Sequence, residues 1–156
     1  MVKRYIIKIL DWLKNLIFDV KIERSQQITL QELQSIARET FKGNWITFFI
    51  GDPYYYTCKT SEVESFLRWF KIYSSNRRWS FYHDCDNFTD FFMGISKAIN
   101  PGIAIGKVWV KTGPRTAHAL NCFYDDNKVF HYIEPQTSQI IKVEQRPQYK
   151  PYFINF

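Results

Sequence analysis

Apolar residues recur at Val2, Tyr5, Ile6, Ile9, Leu10, Leu13, Leu16, Ile17 and Val20, with Lys3, Lys8, Asp11, Lys14 and Asn15 mostly on the opposite side. Steps of three and four residues put the first set on one stripe of a helix. A basic amphipathic helix can lie on a membrane surface. The commoner use is to cover its own domain or to pair with a second copy, making a homodimer. Thr29-x-x-Glu32 is a capping box that predicts a helix carrying Leu30, Leu33, Ile36, Ala37 and Phe41, with Gly43 as its stop. Trp45 to Ile50 reads as a short buried strand, Gly51-Asp52-Pro53 as a turn, and Tyr54-Tyr55-Tyr56 as a loop or strand edge. Ser61-x-x-Glu64 is a second capping box, ahead of Val63, Phe66, Leu67 and Phe70, and Ser74 to Arg78 is a loop.

The pattern then changes. Asp84 can cap a helix from Cys85 to Ile99, with Phe88, Phe91, Phe92, Ile95 and Ile99 on its inner face and Asn100-Pro101-Gly102 ending it. Strand signals follow at Ile103 to Lys111, Ala117 to Tyr124, Val129 to Glu134 and Gln139 to Val143. The order predicts an α+β fold: a helical N-terminal half, then one helix packed on an antiparallel sheet. One domain over 1–156 is expected, divided as an amphipathic helix (1–24), a helical and aromatic half (25–78), a core (79–143) and a tail (144–156).

Composition narrows the function classes. The chain has 156 residues, 21 Lys+Arg against 15 Asp+Glu, and a formal net charge of +6. The basic residues are scattered and no recognition motif accompanies them, so no specific nucleic-acid partner is expected. The most apolar segment, Ile6 to Val20, is broken by Lys8, Asp11, Lys14 and Asp19, which argues against a membrane span and a signal peptide. Cysteines at 58, 85 and 122 form no Cys-x-x-Cys pair, so a reduced, cytoplasmic chain is expected. Aromatic residues make up 19% of the chain, enough for both a core and a groove wall.

One constellation carries chemistry. Cys85 falls in the first turn of a predicted helix, where free backbone N–H groups favour a thiolate. Asp84 and Asp86 oppose that, so a paired histidinium is required. His118 lies on the second strand and Glu134 ends the third. If Asp125-Asp126-Asn127 is a three-residue loop, Tyr124 opposes Lys128 and His118 opposes Glu134 on one face. A two-residue loop would put them on opposite faces unless a bulge intervened. Cys58 and Cys122 have no histidine at a serving distance and read as packing residues.

Asp84-Cys85-Asp86-Asn87-Phe88, Thr116-Ala117-His118-Ala119-Leu120-Asn121 and Tyr132-Ile133-Glu134-Pro135-Gln136 together resemble the papain-like agglutinin C-terminal peptidases. That family includes the protease domain of a mushroom agglutinin and stand-alone bacterial and phage proteins. The blocks are also similar to bacterial transglutaminase-like cysteine peptidases. The resemblance spans Trp79 to Val143. It implies a papain-like or transglutaminase-like core with Cys85 as nucleophile, His118 as acid and base, and Glu134 as the orienting carboxylate. It further implies Gln136 and Trp79 as positioning or oxyanion contacts. Family members can require calcium; resemblance is the sole ground for it here, since no calcium-ligand spacing is seen.

The resulting expectation is a cysteine hydrolase acting on an amide of a peptide or protein, by peptidase or acyl-transfer chemistry, through Cys85, His118 and Glu134. Tyr54 and Tyr55, with Trp45 and Trp79, would wall its cleft. The alternative is a non-catalytic binding or regulatory module that reuses the same fold, with an anti-defence role in a phage as one case.

Overall fold

The computed structural model describes residues 21–42, 45–49, 51–75, 80 and 84–156. The stripe from Val2 to Val20, and with it the paired-helix expectation, lies outside the described residues, as do Trp79 and the Arg77-Arg78 part of the loop.

β1 (Gln27–Thr29) leads directly into α1 (Leu30–Thr40). The capping box forms: Glu32 N–H donates to Thr29 Oγ1 at 3.2 Å and Thr29 N–H donates to Glu32 Oε2 at 2.9 Å. Leu33, Ala37 and Phe41 follow at steps of four and are buried. β2 (Thr47–Phe48) and β3 (Tyr54–Tyr56) come next, then α2 (Thr60–Ser75), which buries Val63, Phe66, Leu67 and Phe70. α2 starts one residue before Ser61, so the capping box expected there does not form its cap; the Thr60 hydroxyl instead donates to Asp125 Oδ2 at 2.9 Å. α3 (Cys85–Ile99) has the expected bounds, capped by Asp84.

β4 (Ile105–Lys111), β5 (Ala117–Tyr124), β6 (Phe130–Glu134), β7 (Gln139–Lys142), a 3-10 turn at Val143–Gln145 and β8 (Lys150–Asn155) complete the chain. Six strands form one sheet in the order β2-β8-β4-β5-β6-β7, while β1 and β3 pair separately as an antiparallel ribbon. The architecture is mixed α/β. Two sequence expectations are corrected here. The first half is not simply helical, since its described part alternates α1 and α2 with three short strands. The sheet is not wholly antiparallel, because Thr47 and Phe48 run parallel to Phe153 and Ile154 of β8. The stretch taken for a tail supplies β8, an inner strand between β2 and β4.

Side-chain alternation gives the sheet two covered faces. Val108, Val110, Leu120, Cys122, Tyr124, Phe130, Tyr132 and Ile154 pack with Leu33, Ala37 and Phe41 of the first helix. Ile105, Phe123 and Ile133 point the other way, into Phe66, Phe70 and Phe92 of α2 and α3. Asn121 Nδ2 donates to Thr89 O at 3.1 Å and to Gly106 O at 3.2 Å, and Lys107 Nζ donates to Asp90 Oδ1 at 2.9 Å. These bonds fasten the first two turns of α3 to β4 and β5.

Candidate functional site

Cys85 is the first helical residue of α3. The Asp84 side chain accepts from Asp86 N–H at 3.3 Å, and Asn87 Oδ1 accepts from Asp84 N–H at 3.1 Å. The cap satisfies backbone groups at the helix start and leaves the half-buried thiol at the positive end of the dipole. The two carboxyls hold each other apart in acidity. Contact with Asp86 lowers Asp84, and contact with Asp84 raises Asp86.

His118 and Glu134 meet as the parity of the hairpin requires. The three-residue loop is Asp126-Asn127-Lys128, one residue later than expected, with Lys128 left-handed at φ 64°. Tyr124 therefore opposes Phe130, and Asn121 opposes Ile133. The shift keeps the parity but makes His118 and Glu134 diagonal neighbours rather than direct opposites. His118 Nε2 lies 2.6 Å from Glu134 Oε2, and Gln136 N–H donates to Glu134 Oε1 at 3.2 Å. Both carboxylate oxygens are thus committed. Gln136 bonds that carboxylate through its backbone, while the resemblance implied a positioning or oxyanion role.

With Nε2 held by Glu134, Nδ1 is the ring nitrogen left for Cys85. No bond of ordinary length and angle joins Cys85 and His118 among the described residues, yet each is the largest influence on the other's acidity. The His118 ring lowers the Cys85 thiol, helped by the Ala119 backbone N–H and opposed by burial. The sulfur, with Glu134 behind the ring, raises His118 to about 9. The arrangement favours a thiolate beside an imidazolium.

The other expected wall residues are elsewhere. Tyr56 N–H donates to Gly102 O at 2.8 Å, just past the far end of α3, so β3 joins the helix about 20 Å from Cys85. Tyr55 is fully buried; its hydroxyl accepts from Asp52 N–H at 3.0 Å and its ring packs on Phe156. Tyr54 is exposed on the same strand. Neither borders the thiol, which corrects that expectation. Cys58 and Cys122 are buried, and burial raises both thiols, that of Cys122 to about 12. Among the described residues no group of three His, Cys, Asp or Glu is placed to hold a metal ion, and no described helix is long and apolar enough to cross a membrane.

Sequence reasoning missed an open groove of about 390 Å³ lined by Thr47, Trp109, Tyr152 and Phe153. Tyr152 and Phe153 are consecutive and would face opposite ways in a regular strand. Here Trp109 pairs with Phe153 and Val110 with Pro151, so Tyr152 is the extra residue of a bulge and both rings reach the groove. Pro151 beside the bulge was the available signal, since proline in a strand marks edges and bulges. Trp45, 97% exposed, precedes the groove residue Thr47 by two positions.

No family model matches this chain, and no curated protein does either. Among solved structures it is similar to a complex of PSL1a with E64, at 19% identity and a TM-score of 0.70, covering 85% of this chain and 51% of that one. It is likewise similar to the Polyporus squamosus lectin bound to the human-type influenza-binding epitope Neu5Aca2-6Galb1-4GlcNAc, at 20% identity and a TM-score of 0.63, covering 85% of this chain and 50% of that one. The chain spans about half the length of each. The likeness is one of fold alone. The assignment to agglutinin C-terminal or transglutaminase-like cysteine peptidases is corrected accordingly: one of these two structures is named as a lectin bound to a sugar epitope, and neither is named as a peptidase or a transglutaminase. The expectation of a peptidase or acyl-transfer hydrolase acting on an amide is corrected with it.

Proposed function

We propose that this chain is a binding module that takes a carbohydrate ligand. The observation that carries the reading is the open groove of Thr47, Trp109, Tyr152 and Phe153 in a lectin-like fold. Pyranose rings present apolar C–H faces that lie flat on aromatic rings, while their hydroxyls need polar partners at the rim. The Thr47 and Tyr152 hydroxyls and the Lys111 ammonium, 5.8 Å from the Tyr152 ring, are of that kind. Titrating labelled protein with Neu5Aca2-6Galb1-4GlcNAc tests the reading by NMR. The expected result is a shift of the Trp109 indole N–H, with Trp109→Ala weakening binding by about tenfold, roughly 1.4 kcal/mol. No shift at millimolar sugar overturns it.

A second reading concerns Cys85, His118 and Glu134, and the lowered thiol favours it. In this reading the three form a nucleophilic centre that captures an electrophile, with Cys85 attacking, His118 holding the proton and Glu134 fixing the ring. Mass spectrometry after iodoacetamide or E64 treatment at neutral pH is the test. Faster modification of Cys85 than of Cys58 and Cys122 supports it, and equal rates overturn it.

A further inference from the structure

The groove and the thiol lie on one line across the sheet. Ala119, whose backbone N–H faces Cys85, pairs with Trp109; Trp109 pairs with Phe153; Phe153 pairs with Thr47. Each step crosses one strand, so the row runs about 14 Å from the thiol's neighbour to the sheet edge. Alternation puts Trp109 on the face of Lys107, which bonds to Asp90 on α3 and sits 5.2 Å from the Trp109 ring. Helix α3 packs on this face at Lys107, and its first residue, Cys85, lies five residues before Asp90, about 7.5 Å farther along the helix. Across the sheet from α3, from Trp109 towards Phe153 and Thr47, the face is open and aromatic. Cys85 stands at the boundary.

We infer that the row from Ala119 through Trp109 and Phe153 to Thr47 is a subsite for a pyranose ring whose attached group reaches Cys85. The inference rests on both readings above: the groove holds the ring, and the thiol meets what the ring carries. Three features make the row one site. The rings of Trp109 and Phe153 are adjacent and half-exposed. The bulge turns Tyr152 toward them. The row ends at Ala119, two residues from Asn121 on β5, which Thr89 O ties to the first turns of α3, the helix that Cys85 begins.

A haloacetamide attached to a sugar tests the coupling. N-iodoacetylglucosamine and iodoacetamide undergo the same step. The Cys85 sulfur bonds to the methylene carbon, the carbon–iodine bond breaks, iodide leaves with the electron pair, and His118 Nδ1 keeps the thiol proton. They differ in the ring. Rates at Cys85 are read by mass spectrometry, and the sugar probe is compared with iodoacetamide within each protein. In the wild type the ratio is expected to favour the sugar probe by about threefold to tenfold, the scale of one ring stacked on another. Trp109→Ala and Tyr152→Ala should bring the ratio toward one, and Trp109→Phe should restore most of it. A wild-type ratio of one overturns the inference, as does an advantage for N-benzyl iodoacetamide that the sugar probe lacks. Failure of iodoacetamide itself to favour Cys85 is a different result that sinks the thiol reading, and failure of the free trisaccharide to shift Trp109 sinks the carbohydrate reading.

Discussion

Cys58, Cys85 and Cys122 are one side chain in three settings. Burial raises two of the thiols, while the His118 ring and the Ala119 N–H lower the third. The sign fixes a pH dependence. Alkylation follows the thiolate, so Cys85 should begin to react at a pH below the ordinary thiol range of about 8.5. Replacing the ring removes the largest lowering influence and leaves only the Ala119 N–H to oppose burial. His118→Ala should therefore move the onset of Cys85 alkylation upward and slow it at pH 7 by about tenfold or more. An unchanged profile would show that the ring does not set the thiol's acidity. At this scale much was legible beforehand. A cysteine after a capping aspartate, and a histidine and glutamate of matching parity on consecutive strands, can be read from spacing. The Ala119 N–H and the Trp109–Phe153 row could not be, because they depend on which strands lie side by side.

Elements were legible where their signals are local. α1 and α3 carry their caps and stripes in consecutive residues, and α3 starts and ends where expected. β8 was missed because Arg146, Pro147, Lys150 and Pro151 make its surroundings look like a tail, and its identity as an inner strand comes from distant partners. Two predictions belong to this scale. A Cβ on Gly106 of β4 would stand 2.5 Å from Asn155 O and 2.8 Å from the Phe156 ring. That backbone oxygen belongs to the neighbouring strand and cannot move aside freely, so Gly106→Ala should cost about 1–3 kcal/mol in urea unfolding. An unchanged midpoint would mean that β8 shifts without penalty.

Asp125 gives the second element-scale prediction. Its Oδ2 accepts from Thr60 Oγ1 and from His131 Nε2, both at 2.9 Å, and its Oδ1 accepts from Val129 N–H at 2.8 Å. One buried carboxylate thereby joins the start of α2 to the β5–β6 hairpin. Burial opposes its charge, but the three donors outweigh burial and hold the carboxyl below its usual value. A lowered carboxyl stabilises the fold above the unfolded value of about 3.9, and the contribution fades as pH falls through the folded value. Asp125→Ala strands His131 and Thr60 and should cost about 3–5 kcal/mol at pH 7. Asp125→Asn should cost less, and its deficit against the wild type should shrink below about pH 4. A deficit that stays constant down to pH 3 would assign the effect to shape rather than charge.

At the scale of the whole molecule, a sheet with helices on both faces needs its ends tied, and the segment 21–24 does this on the α2–α3 side. Ile22 is 3% exposed and packs in the cluster of Val63, Phe66 and Phe92. Asn100 Nδ2 donates to Ile22 O at 2.6 Å, Glu23 N–H donates to Glu62 Oε2 at 3.1 Å, and Arg24 Nη2 donates to Pro101 O at 2.6 Å. Four residues thus bridge the start of α2 and the end of α3. The sequence pattern drew the boundary of the first segment at 24, because Lys21, Glu23 and Arg24 look like solvent-facing charges and Ile22 is a lone apolar residue among them. Its burial depends on two helices that lie far along the chain. The consequence is a difference between two truncations only four residues apart. Removing 1–20 should leave the fold's urea midpoint near that of the full chain, whereas removing 1–24 should cost about 2–5 kcal/mol, the scale of a buried isoleucine taken from a core. Light scattering on the same pair reads the other role suggested for the stripe from Val2 to Val20. A dimer held by that stripe falls to a monomer with the shorter cut, before stability changes. If the 1–20 truncation alone loses the stability, Ile22 and its hydrogen bonds are not the tie. If mass is unchanged throughout, the stripe does not pair two copies.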